Sequence, residues 1–214
     1  MEIRSVGRRN DHSRKEFQEM ALQATENIIF AEGLNGLSTR KIAKAIGYTV
    51  GSLYLAFRNL DDIIVQVNGR TLDLMHQVLS QATERSDTPT DYILALGHAY
   101  SQFAATHIHL WQAVFDHHLP DGEKSPPEYV EKVERLLALV EAQLALLSPK
   151  STVAQRRLAA AALWSSVHGA CYLALSDKLT NSGIDSAHLL VDSIILHYLA
   201  GFKKTADNRV AEMA

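Results

Sequence analysis

Apolar residues recur at the three- and four-residue spacing of an α-helix along almost the whole chain. The first stripe follows Ser13, a residue type that caps helix N-termini, and it ends before Gly33. Alternating apolar and polar runs rich in Val, Ile and Thr, which mark strands, are missing. The spacing therefore predicts an all-α fold. The predicted helices after Gly33 cover about 38–45, 49–55, Asn59 to about 85, 89–105, 107–118, 127–147, 152–176 and 186–204.

The breaks between the later helices are short, which favours antiparallel packing of neighbouring helices. At 214 residues, the chain is long enough to bury an apolar core in one domain or in two small ones. Its hydrophobic share of 47% and its charged share of 21% are those of a globular protein, which argues against intrinsic disorder.

The sequence also argues against several kinds of location and chemistry. The longest unbroken apolar run, Leu158–Trp164, is far short of the ~20 residues of a membrane span, and no apolar run follows the basic N-terminus as in a signal peptide. The single cysteine, Cys171, forms no internal disulfide, and a structural zinc site would need more ligands at tight spacing. No Gly-rich phosphate loop, nucleophile elbow or catalytic triad string appears. We therefore expect a cytoplasmic protein that contacts no membrane, needs no metal or cofactor and is not an enzyme.

Charge is distributed unevenly along the chain. Residues 1–60 carry nine Lys and Arg against six Asp and Glu, whereas residues 61–214 carry twelve against eighteen. A basic head on an acidic body fits a head that contacts a polyanion, although an imbalance of this size also arises by chance.

The segment Ser38–Phe57, STRKIAKAIGYTVGSLYLAF, has the layout of a helix-turn-helix: two short helices joined by a tight turn containing glycine. Ser38 and Thr49 are candidate N-caps, and Gly47 suits the left-handed conformation that ends a helix. Gly51 lies inside the second helix, where glycine costs about 0.5–1 kcal/mol, which makes sense if another molecule must approach closely. The same residues also fit an ordinary helical hairpin.

The whole string resembles the DNA-binding head of the TetR/AcrR family of transcriptional regulators. The likeness rests on Gly33, Thr39, Ile42-Ala43, Gly47, Gly51 and Leu53 to Phe57, and it is strongest over residues 13–65. It implies a three-helix helix-turn-helix domain at 1–60, a helical ligand-binding and dimerisation domain at 61–204, and a frayed tail at 205–214. The DNA-binding residues that it implies are Thr39, Arg40, Lys44, Thr49, Val50, Gly51, Ser52, Tyr54 and Arg58.

Three positions depart from the family pattern. Leu60 stands where the family usually has a phosphate-contacting lysine, and Leu55 and Ala56 replace aromatic or His residues. Arg58 and a flexible basic arm at 1–12 can compensate, because basic arms neutralise phosphates or enter the minor groove. The arm also fits a solubilising tail. The residues that could compensate are Arg4, Arg8, Arg9, Arg14, Lys15 and Arg58.

The C-terminal part contains a Trp-x-x-x-His-Gly string, Trp164 to Gly169, which resembles a subgroup of the family with that signature. Aromatic and His residues are also dense between Tyr100 and His118, as in an apolar ligand site. Plain core packing explains each of these residues individually, and His117 and His118 are adjacent, so they do not chelate a metal easily. The candidate ligand-binding residues are Tyr100, Phe103, His107, Trp111, Phe115, Trp164, His168 and Tyr172.

The resemblance implies a homodimer formed through helices at about 152–176 and 186–204. The predicted function is a ligand-responsive regulator, a repressor by family habit, that binds a palindromic double-stranded DNA operator and is released by a small-molecule effector. The alternative is a helical small-molecule or metal-binding protein, or an enzyme, of the same fold that no longer binds DNA.

Overall fold

A computed structural model of the chain describes residues 12–179 and 187–211, with side chains up to Lys204. Every regular element in these residues is a helix, as the apolar spacing predicts. The predicted basic arm lies outside the described residues, apart from His12. The α-helices are α1 Arg14–Glu32, α2 Thr39–Ile46, α3 Val50–Ala56, α4 Leu60–Ala82, α5 Pro89–Thr106, α6 Ile108–Asp116, α7 Pro127–Leu147, α8 Val153–Leu175 and α9 Ala187–Ala211, with a 3-10 turn at Leu34–Gly36.

Local capping explains where the first helices begin. Ser13 and Glu16 form a reciprocal capping box at the start of α1, and Asn59 accepts from the backbone N–H of Asp62 at the start of α4. Gly33 ends α1 with a φ of 70°, a conformation that favours glycine. At the other end of the chain, α9 continues through residues 205–211, part of the predicted frayed tail.

The described residues form two apolar cores. The head core joins α1, α2 and α3, and it includes Phe17, Ile29, Ile42 and Leu53. The body core joins α4, α5, α7, α8 and α9 around side chains such as Phe103. The two cores meet along α4 and α6, which contribute to both.

Helix α6 contributes to the two cores with different faces. Leu110 and Ala113 belong to the head core, whereas Trp111 is 1% exposed in the body core. A side-chain amide holds α6 against α4, since Nδ2 of Asn68 donates to the carbonyl of Ala113 at 2.8 Å. A displacement of α4 or α6 therefore acts on head and body together.

Helix α8 (Val153–Leu175) is the one helix in the described part of the chain that is long and apolar enough to cross a membrane. A core helix passes the same test by length and composition, so this is weak evidence for a span. In the structure, α8 packs between α7 and α9, and Ala160, Leu163 and Cys171 are buried there. This burial accounts for part of its apolar composition, since Leu158, Tyr172 and Leu173 of the same helix are exposed.

Candidate nucleic-acid interface and ligand cavity

The turn between α2 and α3 fixes the geometry of the helix-turn-helix. Gly47 adopts the left-handed conformation (φ 74°, ψ 26°), and the N–H of Tyr48 returns to the carbonyl of Ala43 at 2.9 Å. The hydroxyl of Thr49 then accepts from the N–H of Ser52 and caps α3. Leu53 is fully buried, so α3 is anchored to the head core by one face and presents the other to solvent.

The predicted DNA-binding residues occupy the outer surface of α2 and α3 to different degrees. The tyrosine ring of Tyr54 is 53% exposed. Val50 packs in part against the head core, and the hydroxyls of Thr49 and Ser52 lie 3.0 Å apart. The exposed members of the set are Arg40, Lys44, Thr49, Gly51, Tyr54 and Arg58, and the half-buried members are Thr39, Val50 and Ser52.

Gly51 is not required by the packing of the head itself. A Cβ added there would have only the Thr49 hydroxyl within 4 Å, at 3.7 Å. The fold therefore tolerates a side chain at this position. The close approach by another molecule that the sequence suggests at Gly51 stays a prediction.

Two contacts at the head were not predicted from the sequence. The hydroxyl of Tyr48 lies 2.9 Å from Nδ1 of His12, and the ring of Tyr48 packs edge-on against the ring of Phe17 with the ring centres 4.9 Å apart.

Leu55, one of the departures from the family pattern, is 83% exposed. Leu60, another departure, packs against the head core at the first position of α4. The leucine at this position packs against the head core, whereas the charged end of a lysine would extend into solvent.

The head and the body are linked by polar and charged side chains next to the start of α4. The guanidinium of Arg58 lies 3.7 Å from the carboxylate of Glu123 in the loop between α6 and α7. Nε2 of His117, at the end of α6, lies 2.9 Å from the carboxylate of Asp61 in the first turn of α4. The His117 side chain is only 10% exposed, so this link is shielded from solvent.

The body contains an apolar cavity of about 300 Å³ between α4, α5, α7 and α8. Aliphatic and aromatic side chains make up its wall, which suits an apolar small molecule. Gly97 brings α5 and α9 together beside it, since an added Cβ would lie 2.5 Å from Ile195 and 2.9 Å from Val191. The lining residues are Leu72, Met75, Leu79, Ile93, Leu96, Gly97, Tyr100, Val114, Phe115, Tyr129, Val133, Leu136, Leu137, Val140, Leu163, Trp164, Val167 and Ile195.

A hydrogen-bonded network closes one side of this cavity. Nε1 of Trp111 donates to the hydroxyl of Tyr100 at 3.0 Å, and that hydroxyl lies 2.8 Å from Nδ1 of His168. Because the hydroxyl proton is free to point at the imidazole, Nδ1 of His168 accepts it. Burial lowers the pKa of His168 and raises the pKa of Tyr100, so both side chains stay neutral near pH 7.

The structure brings three of the eight sequence-predicted ligand residues to the cavity wall, Tyr100, Phe115 and Trp164. Trp111 and His168 stack on each other at 4.7 Å behind that wall. Phe103 and His107 stack at 4.5 Å at the end of α5, and Tyr172 is 46% exposed on α8. The wall residues of α4 and α7 were not predicted from the sequence, because their only signal is an apolar stripe on each helix.

A second space of about 270 Å³, lined by both polar and apolar side chains, lies beside the first, between α4 and the loop that joins α6 to α7. Tyr129 borders both spaces. The described residues contain no group of three or more His, Cys, Asp or Glu that could hold a metal ion. The lining residues are Val65, Asn68, His117, His118, Leu119, Glu123, Ser125 and Tyr129.

Two family models match the chain. Residues 21–67 match the model of bacterial regulatory proteins of the tetR family, and residues 93–197 match a tetracyclin repressor-like C-terminal domain. A helix-turn-helix transcriptional regulator of Haemophilus influenzae, itself uncharacterised, is 30% identical over 69 residues. That match spans 32% of this chain and 37% of the relative's length.

Solved structures with the same fold cover nearly all of the chain. A TetR transcriptional regulator from Rhodococcus sp. RHA1 aligns with a TM-score of 0.63 at 13% identity, over 87% of this chain and 98% of that one. The regulator FadR from Bacillus subtilis, solved in complex with stearoyl-CoA, aligns with a TM-score of 0.64 at 16% identity, over 86% and 98%.

The two family models together cover the helix-turn-helix and most of the body, and the solved structures share the arrangement of both parts. The Trp-x-x-x-His-Gly string lies within the matched C-terminal domain. Regulators of this kind are not enzymes. The chain belongs to the TetR family of transcriptional regulators, which are DNA-binding and ligand-responsive.

Proposed function

We propose that this protein is a cytoplasmic homodimer that represses transcription by binding a twofold-symmetric DNA operator and leaves it when a small apolar effector fills the body cavity. The observation that carries the proposal is the combination of an exposed, cap-defined α2–α3 surface with an apolar cavity walled by α4, the helix that continues into the head.

The α2–α3 surface offers side chains for both kinds of contact that a DNA-binding protein makes, those to phosphates and those to base edges. Arg40, Lys44 and Arg58 are exposed cations for phosphates, and Thr49 and Gly51 lie exposed at the start of α3, where a recognition helix meets base edges. Tyr54 adds an exposed hydroxyl as a phosphate donor.

The pairing of two copies rests on the outer faces of α8 and α9. Six large apolar side chains on these two helices are more than two-fifths exposed in one chain, namely Val153, Leu158, Tyr172, Leu173, Leu189 and Leu196. An added Cβ at Gly169 would meet nothing within 4 Å, so the middle of α8 offers a flat surface for close approach. Apolar surface of this kind favours burial against a second copy, with the twofold symmetry that a palindromic operator requires.

The effector acts through α4 and α6. Filling the cavity presses on Leu72 and Met75 of α4 and on Phe115 of α6, and both helices also form part of the head core. The hydrogen bond from His117 to Asp61 and the ion pair of Arg58 with Glu123 bridge the same junction. An effector that binds more tightly when the head is in one position shifts the dimer toward that position. The size of the shift is set by the difference between the effector's affinities for the two positions.

DNA binding is tested by mobility shift on the DNA upstream of the gene for this protein. We expect Arg40→Ala to weaken binding about tenfold and to reduce the salt dependence by about one phosphate contact. Lys150→Ala, which removes an exposed cation in the loop between α7 and α8, is the matched control and leaves affinity unchanged. If the folded protein retards no upstream fragment, or Arg40→Ala binds as well as wild type, the non-DNA-binding alternative is favoured.

Assembly is tested by sedimentation. Leu196→Arg places a charge on the proposed dimer face without touching the core of one chain, so we expect a folded monomer. Phe30→Arg changes an equally exposed apolar residue of the head and should stay dimeric. A dimeric Leu196→Arg protein would remove this face from the interface.

A further inference from the structure

The outward face of α3 carries an exposed leucine. Leu53, in the middle of the helix, is fully buried in the head core. Gly51 lies two residues before it and Leu55 two residues after it, so at about 100° per residue both lie on the side of the helix opposite Leu53. Gly51 is exposed and Leu55 is 83% exposed. The one side chain on this outward stripe of α3 is therefore apolar.

The hydroxyl groups of α3 lie to either side of that stripe or are already engaged. The hydroxyls of Thr49 and Ser52 lie 3.0 Å apart and bond to each other, and that of Thr49 also caps the helix. Tyr54, which is 53% exposed, lies about 100° around the helix from Leu55. The outward stripe thus offers no side-chain donor or acceptor to a base edge.

The surroundings of Leu55 fit a face that DNA covers. Arg40 and Lys44 on α2 and Arg58 just after α3 are exposed cations that attract phosphates. A helix-turn-helix places its second helix in the major groove, so the side of α3 opposite its core anchor faces the base edges. The 5-methyl group of thymine is the apolar group that base pairs display in that groove. A leucine buried there gains most from meeting such a methyl group.

We propose that Leu55 is a specificity-determining residue that packs against the 5-methyl group of a thymine in each half-site of the operator. The inference rests on the proposed role of α2 and α3 as the DNA-binding surface. It adds which base the outward stripe selects and by which chemistry. The missing side chain at Gly51, one turn earlier, leaves Leu55 room to reach the base edge.

The test removes the methyl group alone. The probe is the duplex that the wild-type protein enriches from a pool of random duplex DNA, and each thymine of its half-sites is replaced in turn by uracil, which pairs with adenine in the same way. At one position of each half-site, we expect the replacement to weaken wild-type binding about threefold in one half-site and about tenfold in both. Mobility shift measures the affinities.

Three variants assign the effect to Leu55. Leu55→Ala should bind the thymine and uracil duplexes equally, and it should fold, because the position is exposed and alanine favours a helix. Leu55→Met keeps an apolar side chain of similar length and should retain the preference for thymine. Leu146→Ala, the matched control, removes a leucine that is 66% exposed on α7 and should keep both the affinity and the preference of wild type.

The outcomes separate this inference from DNA binding itself. If no uracil duplex binds wild type more weakly than the thymine duplex does, Leu55 reads no methyl group and the inference is overturned, while DNA binding stands. A thymine preference that persists in Leu55→Ala would assign the methyl group to another residue and overturn it as well. If wild type enriches no duplex at all, the DNA-binding surface is overturned together with the inference that depends on it.

Discussion

The head and the body of this protein use the same helices in opposite ways. The head packs its apolar side chains tightly, with Ile29, Ile42 and Leu53 fully buried, and displays most of its predicted DNA-binding residues on the outside. The body leaves about 300 Å³ open at its centre, and three of its predicted ligand-binding residues line that space. A DNA-binding domain needs a surface of fixed shape, whereas a ligand-binding domain needs a cavity whose shape changes when a ligand binds.

The head core and the body core meet at one short helix, α6. Leu110 and Ala113 of α6 pack in the head core, while Trp111, between them, packs in the body core. A rigid core on one side and a cavity on the other allow a shape change in the body to move the head as a unit. Four predictions test this comparison.

The largest expected effect concerns core packing. Leu53→Ala in the head should lower the free energy of unfolding by about 3–5 kcal/mol, because a fully buried leucine leaves a void among packed neighbours. Leu136→Ala in the cavity wall should cost less than about 1.5 kcal/mol, because its side chain already borders empty space.

Urea unfolding of both variants is followed by far-ultraviolet circular dichroism. Tryptophan fluorescence would not serve, because both tryptophans lie in the body and report on it alone. Equal costs for Leu53→Ala and Leu136→Ala would mean that the body closes its cavity in solution, and the contrast between head and body would disappear.

Two helix-interior glycines sharpen the comparison within the body. Gly97→Ala should lower the free energy of unfolding by about 1–3 kcal/mol, because the new methyl group overlaps Val191 and Ile195 of α9. Gly69→Ala should raise it by about 0.5–1 kcal/mol, because its Cβ would meet Lys132 only at an ordinary 3.7 Å and alanine favours the helix. Thermal and urea unfolding measure both; destabilisation by Gly69→Ala of the size expected for Gly97→Ala would contradict the packing argument.

On the outer surface of the head, Tyr54→Phe should weaken operator binding by about 1–2 kcal/mol through loss of one phosphate hydrogen bond. The ring stays in place and is 53% exposed, so the free energy of unfolding should not change. Mobility shift gives the affinity and urea unfolding gives the control. Wild-type affinity in Tyr54→Phe would remove this hydroxyl from the DNA contacts.

The smallest effect is the pH dependence of the body. Burial holds the pKa of His168 below its ordinary value of about 6.5, so the unfolded chain binds the proton more readily. His168 therefore contributes stability above about pH 6.5, and this contribution is lost as the pH falls through the lower, folded-state pKa.

His168→Gln keeps an acceptor for Tyr100 but does not titrate. The loss of unfolding free energy between about pH 8 and about pH 5 should be smaller in this variant than in wild type. His76, whose pKa burial also lowers, is present in both proteins and cancels in the comparison. Identical pH profiles would mean that His168 is not held neutral by burial.

Much of the head could be predicted from residues close together in the sequence. The caps at Ser13, Ser38, Thr49 and Asn59 and the left-handed turn at Gly47 are all present as expected. These features depend on hydrogen bonds that span three to five residues, which the local sequence specifies directly. The burial of Leu53 and Phe57 follows from their four-residue spacing for the same reason.

The apolar cavity was only partly predictable, because its walls come from different helices. Of the aromatic residues between Tyr100 and His118 that predicted a pocket, Tyr100 and Phe115 line the cavity, whereas Phe103 and His107 stack at the end of α5 and Trp111 lies behind the wall. The residues of α4 and α7 that complete the wall carry no signal beyond an apolar stripe.

The sequence by itself determined which segments are helices, where the early ones begin and end, and which residues the head turns outward. Only the tertiary structure decided where the body stays open and that Asn68 meets Ala113, 45 residues away, with an acceptor left unpaired. Periodicity encodes which face of a helix is apolar, but it does not encode which helix covers that face or how much space remains between them.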